Sequence, residues 1–139
     1  MIKIAAHLKF CQALKPYLFC PNKNYIHITR MRMGLSALNA HRRKYHFIDN
    51  AICPNCHSDR EDTAHFFLKC PQYTAARTTM LNSLNIILPE THQTLLDLVN
   101  KQKVTQLTKI LLTGIQETDI DIEIFKLVAN YVQNTGRFI

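Results

Sequence analysis

The chain has 139 residues, 47% of them hydrophobic, with a net charge of +7, three glycines and no tryptophan. That length and apolar content suit one domain with a core and exclude wholesale disorder. So few glycines argue against a glycine-rich nucleotide-binding loop and against many tight β-turns. The charge is uneven: residues 1–50 hold nine Lys/Arg against the single acid Asp49, while residues 91–139 hold five of each sign. A block that basic points to a polyanionic partner, above all nucleic acid.

In chain order, residues 2–15 read as a helix with Ile4, Leu8, Cys11 and Leu14 near one face, ended by Pro16. Lys9 interrupts the short apolar start and no small-residue cleavage site follows, so no signal peptide is expected. Residues 17–27 read as a linker. Thr29 is a plausible N-cap for a helix running to about Lys44, with Met31, Leu35, Leu38 and Tyr45 on its packing side and Arg32, Ser36, Asn39 and Arg43 beside them. Gly34 falls inside that helix, where it either weakens the helix by about 1 kcal/mol or allows a close backbone approach. Residues 72–84 predict another helix, with Tyr73, Ala76, Met80 and Leu84 in one stripe. Residues 91–113 predict a further helical stretch, divided near Asn100 to Lys103 and stopped by Gly114. The last helix is the clearest: Ile124, Leu127, Val128, Tyr131 and Val132 follow the helical period, Asp119, Asp121 and Glu123 suit its N-terminal end, and Gly136 ends it. No apolar run approaches the ~20 residues that span a bilayer, so no membrane is expected as a partner.

Between these helices lies Cys53-Pro54-Asn55-Cys56, then His65, then Cys70. A tight turn at Pro54-Asn55 can point both sulfurs of the first pair inward. Three thiolates and one imidazole suit a single tetrahedral Zn²⁺ with no position left for water, which makes the site structural. Asp62 can cap a short helix that carries His65, and Pro71 stops it just after Cys70. Glu61 or Asp62 is expected to bond the free ring nitrogen of His65. His57 is a rival fourth ligand, read instead as a surface residue. Five cysteines cannot complete a disulfide framework within one chain, so a reducing, intracellular compartment is expected, where cysteine clusters favour metal.

The expected fold is therefore all-α, a helical domain with a small CCHC zinc-knuckle lobe. Its parts are a basic helical segment (1–48), the knuckle and following helix (49–85) and a C-terminal helical segment (86–139), in one compact unit. Arg30, Arg32, Asn39, Arg42, Arg43 and Lys44 are the candidate contacts to RNA or DNA, with Tyr45 or Phe47 able to stack on a base and more readily explained as core. No polymerase-type aspartate pair, nucleotide-binding glycine motif or G-x-S-x-G is present, so no catalytic residue is expected.

The order of motifs resembles the C-terminal region of LINE-type (non-LTR) retrotransposon reverse transcriptases. It runs Arg30-Met31-Arg32-Met33-Gly34, Leu38-Asn39-Ala40-His41, the Cys53/Cys56 pair, Glu61-Asp62-Thr63-Ala64-His65, Cys70-Pro71-Gln72-Tyr73, Arg77, and the tail Thr135-Gly136-Arg137-Phe138. The resemblance implies a tail that follows polymerase and endonuclease domains and helps hold element RNA, target DNA or both during target-primed reverse transcription. The alternative, from another class, is a zinc-braced protein-interaction module that docks on a polymerase domain or other partner without touching nucleic acid.

Overall fold

A computed structural model describes residues 24–97 and 100–138 of the chain. The expected helix over 2–15, with Cys11, and the first part of the expected linker, with Cys20, lie outside the described residues.

The described residues are mostly helical, and their only β-type pairing is an isolated antiparallel bridge between Ile52 and Arg60. In chain order the helices are α1 (Tyr25–Arg32), α2 (Asn39–Lys44), α3 (Thr74–Ile87), α4 (Glu90–Gln93), α5 (Lys101–Thr113) and α6 (Thr118–Thr135). A π-helical turn (His65–Lys69) and a 3₁₀ turn (Pro71–Tyr73) lead into α3, and a second 3₁₀ turn (Thr94–Asp97) follows α4. None of these helices is long and apolar enough to cross a membrane.

The core is built on α6. Ile124, Phe125, Val128, Ala129, Tyr131 and Val132 are buried along it, against Met80 and Leu84 of α3 and Ile28 and Met31 of α1. Leu107 and Leu111 of α5 close the other side. Burying such side chains contributes about 1.5–3 kcal/mol each, the main favourable term opposing chain entropy. The C-terminal half folds as its sequence predicts. The Asn100 side chain caps α5 by accepting the Lys103 N–H at 2.9 Å, and Gly114 and Gly136, both at positive φ, end α5 and α6. Gly114 also admits Asp121: a Cβ there would meet the Asp121 carboxylate at 2.3 Å. That carboxylate accepts the Ile115 N–H at 2.7 Å, and burial holds it above the usual aspartate range.

The N-terminal half departs from expectation. The continuous helix from Thr29 to Lys44 is two helices. Gly34, at φ 72°, is the left-handed residue of a Schellman turn, in which Leu35 N–H reaches Arg30 O (2.9 Å) and Gly34 N–H reaches Met31 O (3.1 Å). The glycine terminates α1 instead of weakening a longer helix. The helix begins at Tyr25, inside the expected linker 17–27, so Thr29 sits within α1, its hydroxyl donating back to Tyr25 O at 3.0 Å, and caps nothing. The break also splits the expected stripe: Met31 and Leu38 are buried, Leu35 and Tyr45 exposed.

Candidate metal centre and the basic arm beside it

Cys53 and Cys56 lie on a short hairpin. Its ends are tied by Cys53 N–H to Asp59 O (2.8 Å) and Glu61 N–H to Ala51 O (2.7 Å), and its turn by His57 N–H to Cys53 O (3.0 Å). His57 adopts a left-handed conformation (φ 56°) that swings the chain back, and its side chain points to solvent, outside the cage. The other two ligands sit on the π turn. Asp62 caps its start, its carboxylate accepting the His65 N–H at 2.7 Å. On an α-helix five residues turn through about 500°, which would leave Cys70 roughly 140° away from His65. Here the Cys70 N–H bonds to His65 O (2.8 Å), and this i→i+5 closure stacks Cys70 over His65. The extra residue in the turn is what makes a five-residue spacing a ligand spacing.

The result is one cluster. The ligand atoms of Cys53, Cys56, His65 and Cys70 all lie within 4.8 Å of one another, and this group can hold a metal ion. Cys53 Sγ is 3.9 Å from Cys70 Sγ, and Cys56 Sγ is 3.3 Å from His65 Nε2. Three of the four residues are buried. Burial pushes the Cys70 thiol up to about 12, whereas hydrogen bonds from the Ser58 hydroxyl and backbone bring Cys56 down to about 6. A dication held by these four residues would supply the charge that ionises all three sulfurs together.

The expected partner of His65 Nδ1 is corrected. Asp62 is used as the cap, and Glu61, fully buried, faces elsewhere. The Nδ1 atom is buried without a hydrogen-bond partner, and the Asp59 carboxylate approaches it no closer than 3.9 Å. The Glu61 carboxylate instead receives the Arg137 guanidinium through two 2.8 Å bonds and the Asn39 N–H at 2.8 Å. Sequence reasoning placed both residues in motifs without pairing them, since no local periodicity links positions 76 apart. It also left Arg77 without a role. Its guanidinium gathers Phe67 O (3.0 Å) and Cys70 O, tying the π turn to α3. The Tyr131 hydroxyl donates to Phe66 O and ties the same turn to α6.

Helix α2 is fastened to this lobe. Ala40 N–H bonds to Glu61 O (2.9 Å), and the Asn39 side-chain amide donates to Ile52 O (2.7 Å). The six candidate nucleic-acid residues thus divide. Asn39 is a structural staple. Arg32 turns inward: its Nε donates to Leu112 O at 2.8 Å, its Nη2 to the same carbonyl, and its guanidinium lies 5.5 Å from the Phe125 ring. Arg30, Arg42, Arg43 and Lys44 are exposed. Tyr45 and Phe47, expected as core, are also at the surface, at 45% and 75% exposure.

The described residues form a mostly helical fold with an embedded four-residue Cys/His cluster that could hold a metal ion. Comparison with known protein families, characterised proteins and solved structures finds no match to this chain.

Proposed function

We propose that the chain is a zinc-braced, non-catalytic nucleic-acid-binding module, the C-terminal tail of a LINE-type reverse transcriptase, that helps position template RNA or target DNA. The observation that carries this reading is the arm: Arg42, Arg43 and Lys44 project from a six-residue helix whose N-terminus is hydrogen-bonded to the metal lobe. Three adjacent exposed cations on a fixed helix suit phosphates at regular spacing. Zinc is favoured by donor type and size. A tetrahedron with Zn–S bonds of about 2.3 Å and a Zn–N bond of about 2.0 Å has edges of roughly 3.8 Å (S···S) and 3.5 Å (S···N). Two of the separations, 3.9 and 3.3 Å, fall near those edges, in a cluster whose ligand atoms all lie within 4.8 Å of one another. With four protein ligands the ion has no open position and serves the fold. The motif order from Arg30 to Phe138 supports the reverse-transcriptase assignment.

The test is binding to an RNA hairpin and to duplex DNA at two salt concentrations, with metal content measured on the same protein. One zinc per chain is expected. Changing Arg42, Arg43 and Lys44 together to Gln is expected to weaken binding for every sequence alike and to lower the slope of log affinity against log salt by roughly two to three. If that variant binds as well as its parent at about 0.1 M salt, the arm is a solvated surface. The second reading, a protein-interaction module, then takes its place; exposed Ile26, Met33 and Leu35 on and after α1 favour it.

A further inference from the structure

Phe47 is the most exposed aromatic side chain among the described residues, and the backbone that presents it is fixed. It follows α2 in a second Schellman turn: Phe47 N–H bonds to Arg42 O (2.9 Å) and His46 N–H to Arg43 O (3.1 Å). The left-handed position of such a turn normally belongs to glycine, yet His46 occupies it at φ 63°. In this motif an apolar residue at the Phe47 position usually folds back onto the last turn of its helix. Here that turn offers the exposed Arg42 and the half-buried His41, and the ring stands in solvent. Beyond it the chain is pinned again, by Ile52 N–H to Asn50 Oδ1 (2.7 Å), Asn39 Nδ2 to Ile52 O (2.7 Å) and Glu61 N–H to Ala51 O (2.7 Å). A strained, doubly anchored turn that holds a bare aromatic ring outward is a feature of recognition, not of packing.

The surroundings select the partner. Arg42, Arg43 and Lys44 precede the ring, with Lys44 Nζ 5.7 Å from the neighbouring Tyr45 ring; the acid in this loop is Asp49. Excess positive charge around an aromatic face suits a polyanion that itself carries flat, apolar faces. A duplex buries its base faces within the stack and offers only edges and phosphates. An unpaired nucleotide has a free face. We infer that Phe47 is a stacking platform for an unpaired base of the bound nucleic acid, with the flanking phosphates held by Arg42, Arg43 and Lys44. This rests on the nucleic-acid reading above and narrows it to single-stranded, looped or frayed segments.

The experiment uses single strands of about 12 nucleotides, within the footprint of small single-strand binders, as RNA and as DNA, beside the matching blunt duplexes. Phe47→Ala is expected to weaken single-strand binding roughly ten- to a hundredfold, to leave duplex binding unchanged and to leave the salt slope unchanged. Phe47→Trp is expected to keep the affinity. Because the chain has no other tryptophan, the indole reports the contact directly: its fluorescence falls on adding single strand and stays level on adding duplex. RNA and DNA arms distinguish the source of the base, since stacking serves both and any sugar preference appears as a difference between them. If Phe47→Ala binds single strands like its parent, or the indole signal is blind to them, the inference is overturned and the ring belongs to a protein contact. If the parent binds no nucleic acid at low salt while zinc and helix content are intact, this inference and the underlying reading fail together.

Discussion

Residues 51–60 and residues 65–70 each bring two ligands to the same cage, but they are held by different forces. In 51–60 Cys53 is the one buried side chain, and the hairpin is held by a few backbone hydrogen bonds together with side-chain bonds from Asn39 to Ile52 O and from Asn55 to the Tyr73 hydroxyl. In 65–70 the side chains of Phe66, Phe67 and Leu68 are buried as well as the ligands. Phe66 meets Phe67, Tyr73, Tyr131 and Phe138 with ring centroids 5.1 to 5.6 Å apart. The carbonyls of Phe66, Phe67 and Cys70 are taken by Tyr131 and Arg77. Apolar packing therefore places His65 and Cys70, and the proposed ion would draw the hairpin onto that half. Because α2 is fastened to the hairpin side, at Ile52 and Glu61, the state of the cage passes to the basic arm before it reaches the core.

The most severe way to break this contrast is to remove the metal. The proposed zinc would contribute on the order of 10 kcal/mol at neutral pH, more than the few hydrogen bonds that otherwise hold the hairpin. Chelation, or Cys56→Ser, is expected to bring amide exchange in 51–60 close to unfolded rates while α3 and α6 stay protected. Acidification acts in the same direction: without metal the buried Cys70 thiol is pushed up to about 12, so loading releases protons and affinity falls as pH falls. Equal loss of protection across α6 would show that the two halves are not separately held.

Striking the other half tests the contrast from the opposite side. Phe66→Ala removes a fully buried ring at the meeting point of the π turn, α3 and α6, and is expected to cost about 3–5 kcal/mol in urea unfolding followed by helix content. The loss is expected to be global, and zinc affinity should fall with it, because His65 and Cys70 lose their platform. A local effect confined to 65–70 would contradict the shared core.

Next in size is the clasp between the lobe and the C-terminal tail. Glu61 has no exposed surface, so Arg137→Ala leaves a buried carboxylate with the Asn39 N–H and a long contact to Cys53 Sγ, at a cost of about 3 kcal/mol. Removing the charge as well, in Glu61→Gln with Arg137→Ala, is expected to recover part of that loss, which a double-mutant cycle measures. Exchange in α2 should rise in the single variant, since Ala37 O and the Asn39 N–H are tied to the same pair. An additive cycle would mean that the two side chains act independently.

What the sequence made legible follows from the range of each cause. The clustering of Cys53, Cys56, His65 and Cys70, the Asp62 cap, the division near Asn100, Gly114, Gly136 and the α6 stripe are all decided within a few residues, and local rules find them. The Gly34 turn was missed because a helical stripe drawn across it looks continuous; glycine can either weaken a helix or end it, and only the bonds to Arg30 and Met31 decide which. The π turn was missed because ligand spacing was judged on α-helical geometry. Glu61–Arg137, Arg77 and Tyr131 act between distant segments, where charge and hydroxyl chemistry name a capability but no partner. Tyr45 and Phe47 show the opposite limit: aromatic residues near a helix are ordinarily core, and only the turn at His46 sends Phe47 outward.

The smallest effect separates two residues that look alike in the sequence. Arg32 and Arg43 both sit in the basic block, and both suit phosphate contacts by type. Arg32 is half-buried, with two guanidinium nitrogens on the Leu112 carbonyl near the end of α5. Arg43 is exposed on α2. Arg32→Gln is expected to lower stability by about 1–2 kcal/mol, through loss of a charge-assisted bond to a carbonyl that the fold partly buries. It should leave the salt slope of nucleic-acid binding unchanged. Arg43→Gln is expected to do the reverse, with stability within about 0.5 kcal/mol of the parent and the slope lower by about one. Urea unfolding and a salt titration on the same two proteins give both readouts. A fall in slope for Arg32→Gln would mean that this guanidinium leaves Leu112 to reach a phosphate, and the division between a structural and a binding arginine would have to be redrawn.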